Sequence, residues 1–224
     1  MGPLDHPVSR HRAYLTIAAI AVVAATLLLM SGTGSSLPVL GRLPLLPSVI
    51  VSAGLGLGAL VLLDYRERLP QSHLWTAPRG LFVLAGLGAL LALPPVAIDL
   101  ALRFPRDLNL PLPDALFFYP AIAVVAEVQF HLIPLALLAL IVPRWVPVWW
   151  IIAPVILVEP LFQVAYLSGP TLQALLVLGN VTLISAVQLW LFQRYGFAAM
   201  FGLRIAFYLF WHILWGSLRL TLLF

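Results

Sequence analysis

The chain contains no cysteine and no lysine, since all 12 of its basic residues are arginine. Without cysteine it can form no disulfide and no thiolate metal site, so any metal would need His and carboxylate ligands. Charged residues make up 9% of its 224 residues, whereas soluble domains carry about 25%. Hydrophobic residues make up 62%, and the mean hydropathy is +1.07. The composition therefore predicts an integral membrane protein.

The basic charge of the chain does not indicate a nucleic-acid partner. The formal net charge is +4, but the arginines are scattered between apolar runs and form no basic patch. They have the distribution of charges that set the orientation of a membrane protein. We therefore expect the lipid bilayer, and no nucleic acid, as the partner of this surface.

Long apolar runs dominate the sequence. A bilayer core about 30 Å thick requires roughly 20 apolar residues of helix, and backbone groups inside it must be bonded internally. About seven runs qualify, and they cover approximately Ala13–Met30, Leu43–Leu63, Gly80–Leu102, Leu116–Val142, Val148–Leu167, Leu172–Phe192 and Phe197–Leu222. The sequence predicts an all-α fold, in which residues 1–224 form one polytopic transmembrane bundle of about seven helices.

The flanks of the apolar runs predict an orientation. Arg10 and Arg12 precede the first run, as in a signal peptide, but no clear A-x-A site follows and the run is long. We therefore expect it to be retained as a membrane helix. More arginines lie on the side of the N-terminus than on the other side, which favours a cytoplasmic N-terminus. The expected location is a bacterial or archaeal cell membrane.

Polar residues within the apolar runs form three stripes. An ionisable group at the bilayer centre costs at least about 2.5 to 3.5 kcal/mol, so it normally faces the bundle interior. Glu127 and His131 share one face of the fourth run, and Glu159 and Gln163 share one face of the fifth. The seventh run carries the stripe Arg204, Tyr208, His212, Gly216 and Arg219. Glu127, Glu159 and His212 lie near the middle of their runs, so we expect them to meet at one depth.

Several kinds of chemistry fit these residues. A buried carboxylate held by a His can act as a general base, with Gln163 or Arg204 as a donor to an oxyanion or substrate. For Arg204 we favour the role of counter-ion to a buried carboxylate. Glu127, His131, Glu159 and His212 could instead hold a zinc ion, so the cofactor is either none or a divalent metal. A purely structural cluster and a proton relay of a carrier are the other interpretations.

Two further features bear on helix packing. Asp99 and Arg103 are one turn apart at the end of the third run, so the sequence predicts a local ion pair. The glycine-rich stretches GLGLG in the second run and GLG in the third predict close contacts between helices.

The C-terminal half, roughly residues 119–224, resembles the CAAX protease and bacteriocin-processing family of intramembrane proteases, also called the type II CAAX prenyl endopeptidase-like or Abi family. The stretches that carry the resemblance are AEVQFH in the fourth run, FQVAY in the fifth, and RYGF followed by WHILWG in the seventh. The family motifs are EExxxR, FxxxH and HxxxN on three helices. The resemblance implies a multispanning hydrolase that cleaves a peptide or membrane-protein substrate with a glutamate-activated water.

Position by position, the match is partial. Glu127 falls on the second Glu of the first motif and His131 on its Arg, whereas Ala126 stands where the family has its first Glu. In the second motif Tyr166 replaces the His, and in the third His212 is present but Gly216 replaces the Asn.

Two functional hypotheses follow from this partial match. In the first, Glu127 or Glu159 has become the base, with His131 and His212 as partners, in an intramembrane endopeptidase. In the second, the chain is an inactive family member that serves as a membrane binding or scaffold protein.

Overall fold

A computed structural model describes residues 7–32, 38–39, 43–69, 78–166 and 171–224. Its helices are α1 (Pro7–Met30), α2 (Leu45–Tyr65), α3 (Pro78–Leu102), α4 (Ala115–Ile141), α5 (Trp149–Val155), α6 (Val158–Tyr166), α7 (Thr171–Tyr195) and α8 (Phe197–Leu222). A 3₁₀ turn covers Arg106–Leu108, and the two-residue strands β1 (Pro38–Val39) and β2 (Leu43–Pro44) pair antiparallel. The predicted all-α transmembrane bundle is confirmed.

The predicted fifth span differs from the other six. Within the described ranges, six helices are long and apolar enough to cross a membrane, whereas Trp149–Ala165 is shorter and consists of α5 and α6. Pro160 has no N–H to donate to the carbonyl of Ile156, four residues earlier, and this accounts for the break between α5 and α6.

The contacts nevertheless show that this short segment passes from one face of the bundle to the other. Arg68 near the end of α2 donates to the carbonyl of Val146, just before α5, at 2.9 Å. At the other end, Gln163 of α6 lines the same cavity as Leu102 at the end of α3. The end of α2 lies against the end of α4 and the end of α3 against the end of α8, while α4 and α8 run in opposite directions. Seven segments of the described ranges therefore cross the bundle.

Two apolar cores share the last two helices. The first joins α1, α2, α4 and α5 to residues of α7 and α8 such as Phe192 and Met200. The second joins α3 to the same pair of helices through residues such as Leu191 and Leu203. Because α7 and α8 belong to both cores, polar side chains on them lie in the middle of the protein.

The glycine prediction is confirmed for one residue in each stretch. A Cβ on Gly88 would lie 2.6 Å from the Cβ of Ala206 in α8, and a Cβ on Gly56 would lie 2.6 Å from a methyl of Val128 in α4. Gly54 and Gly86, each two residues earlier, have open space instead. These contacts bring α2 close to α4 and α3 close to α8.

The expected local pair of Asp99 and Arg103 is wrong. Asp99 binds Arg219 at the end of α8, with Nε of Arg219 2.6 Å from Oδ2 and Nη2 2.8 Å from Oδ1. Arg103 lies beyond the end of α3 with a φ of 47°, so the helical i, i+4 geometry no longer applies. Arg219 also donates to the carbonyl oxygens of Phe104 and Pro105, and it thereby fastens the loop after α3 to α8.

Candidate functional site

A buried polar cluster joins four helices near the centre of the bundle. Glu127 of α4 is 0% exposed, and Glu159 of α6 and Arg204 of α8 are each 3% exposed. Nε of Arg204 lies 2.6 Å from Oε1 of Glu127, and its two terminal nitrogens form a bidentate pair with Glu159 at 2.8 and 2.6 Å. Arg204, which the sequence suggested as a donor or as the counter-ion of a buried carboxylate, is therefore the centre of the cluster.

Every donor of the Arg204 guanidinium has an acceptor. Besides the three bonds to carboxylates, Nη1 donates to the hydroxyl of Tyr208 at 3.2 Å, and Nη2 donates to Oε1 of Gln188 at 3.3 Å. A guanidinium carries five N–H donors. None is left for a substrate or an oxyanion unless one of these bonds is broken.

The Glu127 carboxylate is enclosed in the same way. Its Oε1 accepts from Arg204 and from Nε2 of Gln188, and its Oε2 lies 2.7 Å from Nδ1 of His131. An ionised carboxylate has no proton to give, so Nδ1 of His131 is the donor. Both oxygens of Glu127 are thus bonded to protein groups inside the bundle.

His131 links the two carboxylates loosely. Its ring is 0% exposed, and its Nε2 lies 3.8 Å from Oε2 of Glu159. Among the described residues this nitrogen has no hydrogen-bond partner. Glu159 in turn accepts a bond from Nε2 of Gln163 at 3.2 Å. Glu127, His131, Glu159, Gln163 and Arg204 are therefore brought together as one cluster.

His212 has a different set of neighbours. Its Nδ1 donates to Oδ1 of Asn109 at 2.7 Å, and its ring stacks on Tyr119 with centroids 4.6 Å apart. Arg204 lies two turns away along α8, a rise of about 12 Å, and takes the place beside the carboxylates that spacing had suggested for His212. The side chain of Tyr166, the motif position on α6, lies outside the described part of the structure.

Both helices that carry these His residues contain a π-helical segment. Glu127–Leu132 interrupts α4, and Leu209–Trp215 interrupts α8. Such segments are rare in proteins as a whole, and those that do occur lie frequently at functional sites. The first of them begins at Glu127 and contains His131, and the second contains His212.

A cavity of about 710 Å³ lies beside the cluster. Glu159, Gln163, Arg204 and His212 line it, together with apolar side chains from α3, α7 and α8. Glu127 and His131 are not part of its wall. A molecule in this cavity would therefore meet the Glu159–Arg204 pair and His212, but not the enclosed carboxylate of Glu127.

The expected metal ligands are divided between two places. Glu127, His131 and Glu159 surround Arg204, while His212 pairs with Asn109. Throughout residues 7–32, 38–39, 43–69, 78–166 and 171–224, no three His, Cys, Asp or Glu side chains are arranged to hold a metal ion. A guanidinium between two carboxylates occupies the space that a cation would need, so the residues do not fit a zinc site.

Sequence reasoning missed the contribution of α7. Gln188 is 0% exposed and contacts both Glu127 and Arg204. Gln173, Asn180 and Gln188 are separated by seven and eight residues, which places them on one face of a helix. This spacing is a fourth polar stripe, and it could have been found in the same way as the other three.

Neither a family model, nor a curated protein, nor a solved structure matches this chain.

Proposed function

We propose that the chain is a membrane-embedded binding protein without catalytic activity, in which the polar cluster holds the helices together and the adjacent cavity accepts an amphiphilic ligand. The observation that carries the proposal is the complete pairing of Arg204, which uses all five of its donors within the bundle. A catalytic oxyanion donor needs a free N–H aimed at the reacting oxygen.

The state of the two glutamates supports the same interpretation. A general base must reach the proton that it takes, directly or through one water, but Glu127 is fully enclosed and does not line the cavity. Glu159 does line the cavity, yet a guanidinium holds both of its oxygens. Both glutamates are thus already engaged by Arg204 inside the bundle.

The cavity has the properties of a ligand site. Pockets of about 300–1,000 Å³ that combine apolar walls with a few polar groups are typical of small-molecule sites. Here the apolar walls include Ile98, Val181 and Phe207, and the polar groups include Gln163 and His212. In a membrane protein, a ligand with both apolar and polar parts matches such a surface.

Filling part of the cavity with a larger side chain should weaken ligand binding. We expect Val181→Trp, a change at a cavity wall residue that is 8% exposed, to lower the binding of lysophosphatidylcholine by about tenfold or more, a loss of about 1.4 kcal/mol. Leu183→Trp is the matched control, because Leu183 lies two residues away on α7 and is 49% exposed. Native mass spectrometry of the detergent-solubilised protein would measure both affinities. Equal binding by parent and Val181→Trp would refute the cavity site.

One observation favours a hydrolase as the second candidate. A Cβ on Gly216 would lie 3.0 Å from the Asn109 side chain, and that Asn binds His212. If the chain does belong to the protease family, the side chain of Asn109 would occupy the position that the Asn of the third motif takes in that family. This hydrolase requires a rearrangement that frees Glu127 or Glu159. It is excluded if Glu127→Ala and His212→Ala variants cleave a membrane peptide library as well as the parent does.

We also propose that the N-terminus is cytoplasmic, in a bacterial or archaeal cell membrane. Arg219 is buried against Asp99, so it no longer counts as a charge on the face opposite to the N-terminus. The excess of arginines on the side of the N-terminus is therefore larger than the sequence alone suggested. The cysteine-free chain allows a direct test with single cysteines. A membrane-impermeant maleimide should label Asp107→Cys on intact cells and Glu67→Cys only after lysis. The reverse pattern would invert the orientation.

A further inference from the structure

Two arginines stand at the mouth of the cavity. Arg103 and Arg106 lie in the connection that follows α3, both are exposed, and both line the cavity. In the part of the chain that the structure describes, neither guanidinium forms an ion pair, although Asp107 directly follows Arg106 in the sequence. The loop that carries them is held in place by Arg219, which donates to the carbonyls of Phe104 and Pro105. The mouth therefore presents two positive charges on a loop whose backbone is held in place at the end of a membrane helix.

A buried amide lies in the wall of the same cavity. Gln173, near the start of α7, is 5% exposed and lines the cavity, and its Nε2 has no hydrogen-bond partner among the described residues. Leaving a buried donor unpaired costs about 1–3 kcal/mol. An acceptor oxygen on a ligand would satisfy this amide, and the start of α7 lies at the same face of the bundle as the two arginines.

The size of the cavity limits the ligand. A volume of about 710 Å³, at roughly 30 Å³ per water-sized group, holds about two dozen non-hydrogen atoms. That is sufficient for one acyl chain with part of its headgroup and too small for the two chains of a phospholipid. Ile98, Val177 and Val181 supply an apolar wall along which a chain can lie.

We infer that the cavity binds a single-chain lipid with an anionic headgroup, in which Arg103 and Arg106 bind the anion, Gln173 donates to an oxygen next to it, and the acyl chain enters the bundle. This inference rests on the proposed binding function and adds the class of ligand. Arginine suits an anionic oxygen group because its planar fork can donate two parallel hydrogen bonds.

The test compares two probes that share one acyl chain. We expect lysophosphatidylglycerol, which is anionic, to bind roughly thirtyfold more tightly than zwitterionic lysophosphatidylcholine, since each arginine near a lipid headgroup contributes a severalfold preference. The double variant Arg103→Ala with Arg106→Ala should remove this preference. Arg12→Ala with Arg79→Ala, two exposed arginines at the opposite face, should keep it. Native mass spectrometry would give all the dissociation constants.

Further measurements distinguish a lipid from a free anionic headgroup as the ligand. Glycerophosphoglycerol, the phosphodiester that remains when the acyl chain is removed from lysophosphatidylglycerol, should bind at least tenfold more weakly than the lipid. Gln173→Leu should weaken binding of the lipid without removing the preference for charge. Equal affinity for the two lysolipids, or tighter binding of a peptide that ends in a free carboxylate, would overturn the inference. The proposed function would survive the first of these results if Val181→Trp still weakened the binding of both lysolipids by about tenfold or more, and it would fail with the inference if that variant bound both normally.

Discussion

Arg204→Met should strongly destabilise the folded protein, because it leaves Glu127 and Glu159 buried without their shared cation. Removing one partner of a buried ion pair typically costs about 3–5 kcal/mol, and here one guanidinium serves two carboxylates that are at most 3% exposed. Met fills a similar volume, so the loss of charge and not a cavity would be the cause. Thermal unfolding in detergent, followed by size-exclusion chromatography of heated samples, would measure an apparent Tm lowered by on the order of 10 °C.

The triple variant Glu127→Gln, Glu159→Gln, Arg204→Met is the control for this explanation. The triple variant leaves no uncompensated buried charge, so part of the lost stability should return, although the two Gln side chains lose the hydrogen bonds from Arg204. The exposed Arg79→Met removes one charge at the surface and should stay within about 0.5 kcal/mol of the parent. A single Arg204→Met variant as stable as the parent would show that the cluster does not hold the helices together.

Arg219→Met should have the second largest effect. Arg219 and Asp99 are both 0% exposed, and the guanidinium also binds the carbonyls of Phe104 and Pro105. Its loss strands a buried carboxylate and frees the loop after α3, with an expected cost of about 3–5 kcal/mol. The same thermal assay would measure it.

A double variant separates the charge from the loop contacts. Asp99→Asn keeps an acceptor for Nε1 of Trp215, which donates to Asp99 at 2.8 Å. Combined with Arg219→Met, it should recover part of the stability, since no unpaired charge remains and only the bonds to the loop are lost. If the double variant were no more stable than Arg219→Met alone, the unpaired charge would not be the reason for the effect.

The architecture of this chain follows from its apolar runs. Six of the seven predicted spans are single long helices, because length and hydropathy decide helix formation in a membrane largely without regard to neighbours. The fifth run was also located, but its break was not predicted. Pro160 was visible in the sequence, and the proline rule could have placed the break near Ile156.

The partners of the polar residues were harder to predict. Helical spacing correctly joined Glu127 to His131 and Glu159 to Gln163, as each pair lies within one helix. Charge complementarity correctly suggested Arg204 as the counter-ion of a buried carboxylate. Spacing gives no information about the rotation of one helix against another, so it could not show that Arg204 contacts both carboxylates and that His212 contacts neither. The same limitation hid the pairing of Asp99 with a residue 120 positions away.

Ligand binding by the neutral triple variant tests the central claim most directly. If the charges of the cluster hold the fold and the cavity performs the function, Glu127→Gln, Glu159→Gln, Arg204→Met should bind lysophosphatidylcholine with a dissociation constant within about threefold of the parent. The measurement is the same native mass spectrometry titration, made on samples whose apparent Tm has been checked. A loss of tenfold or more in a variant that remains folded would contradict the claim and would assign the charges themselves to the function.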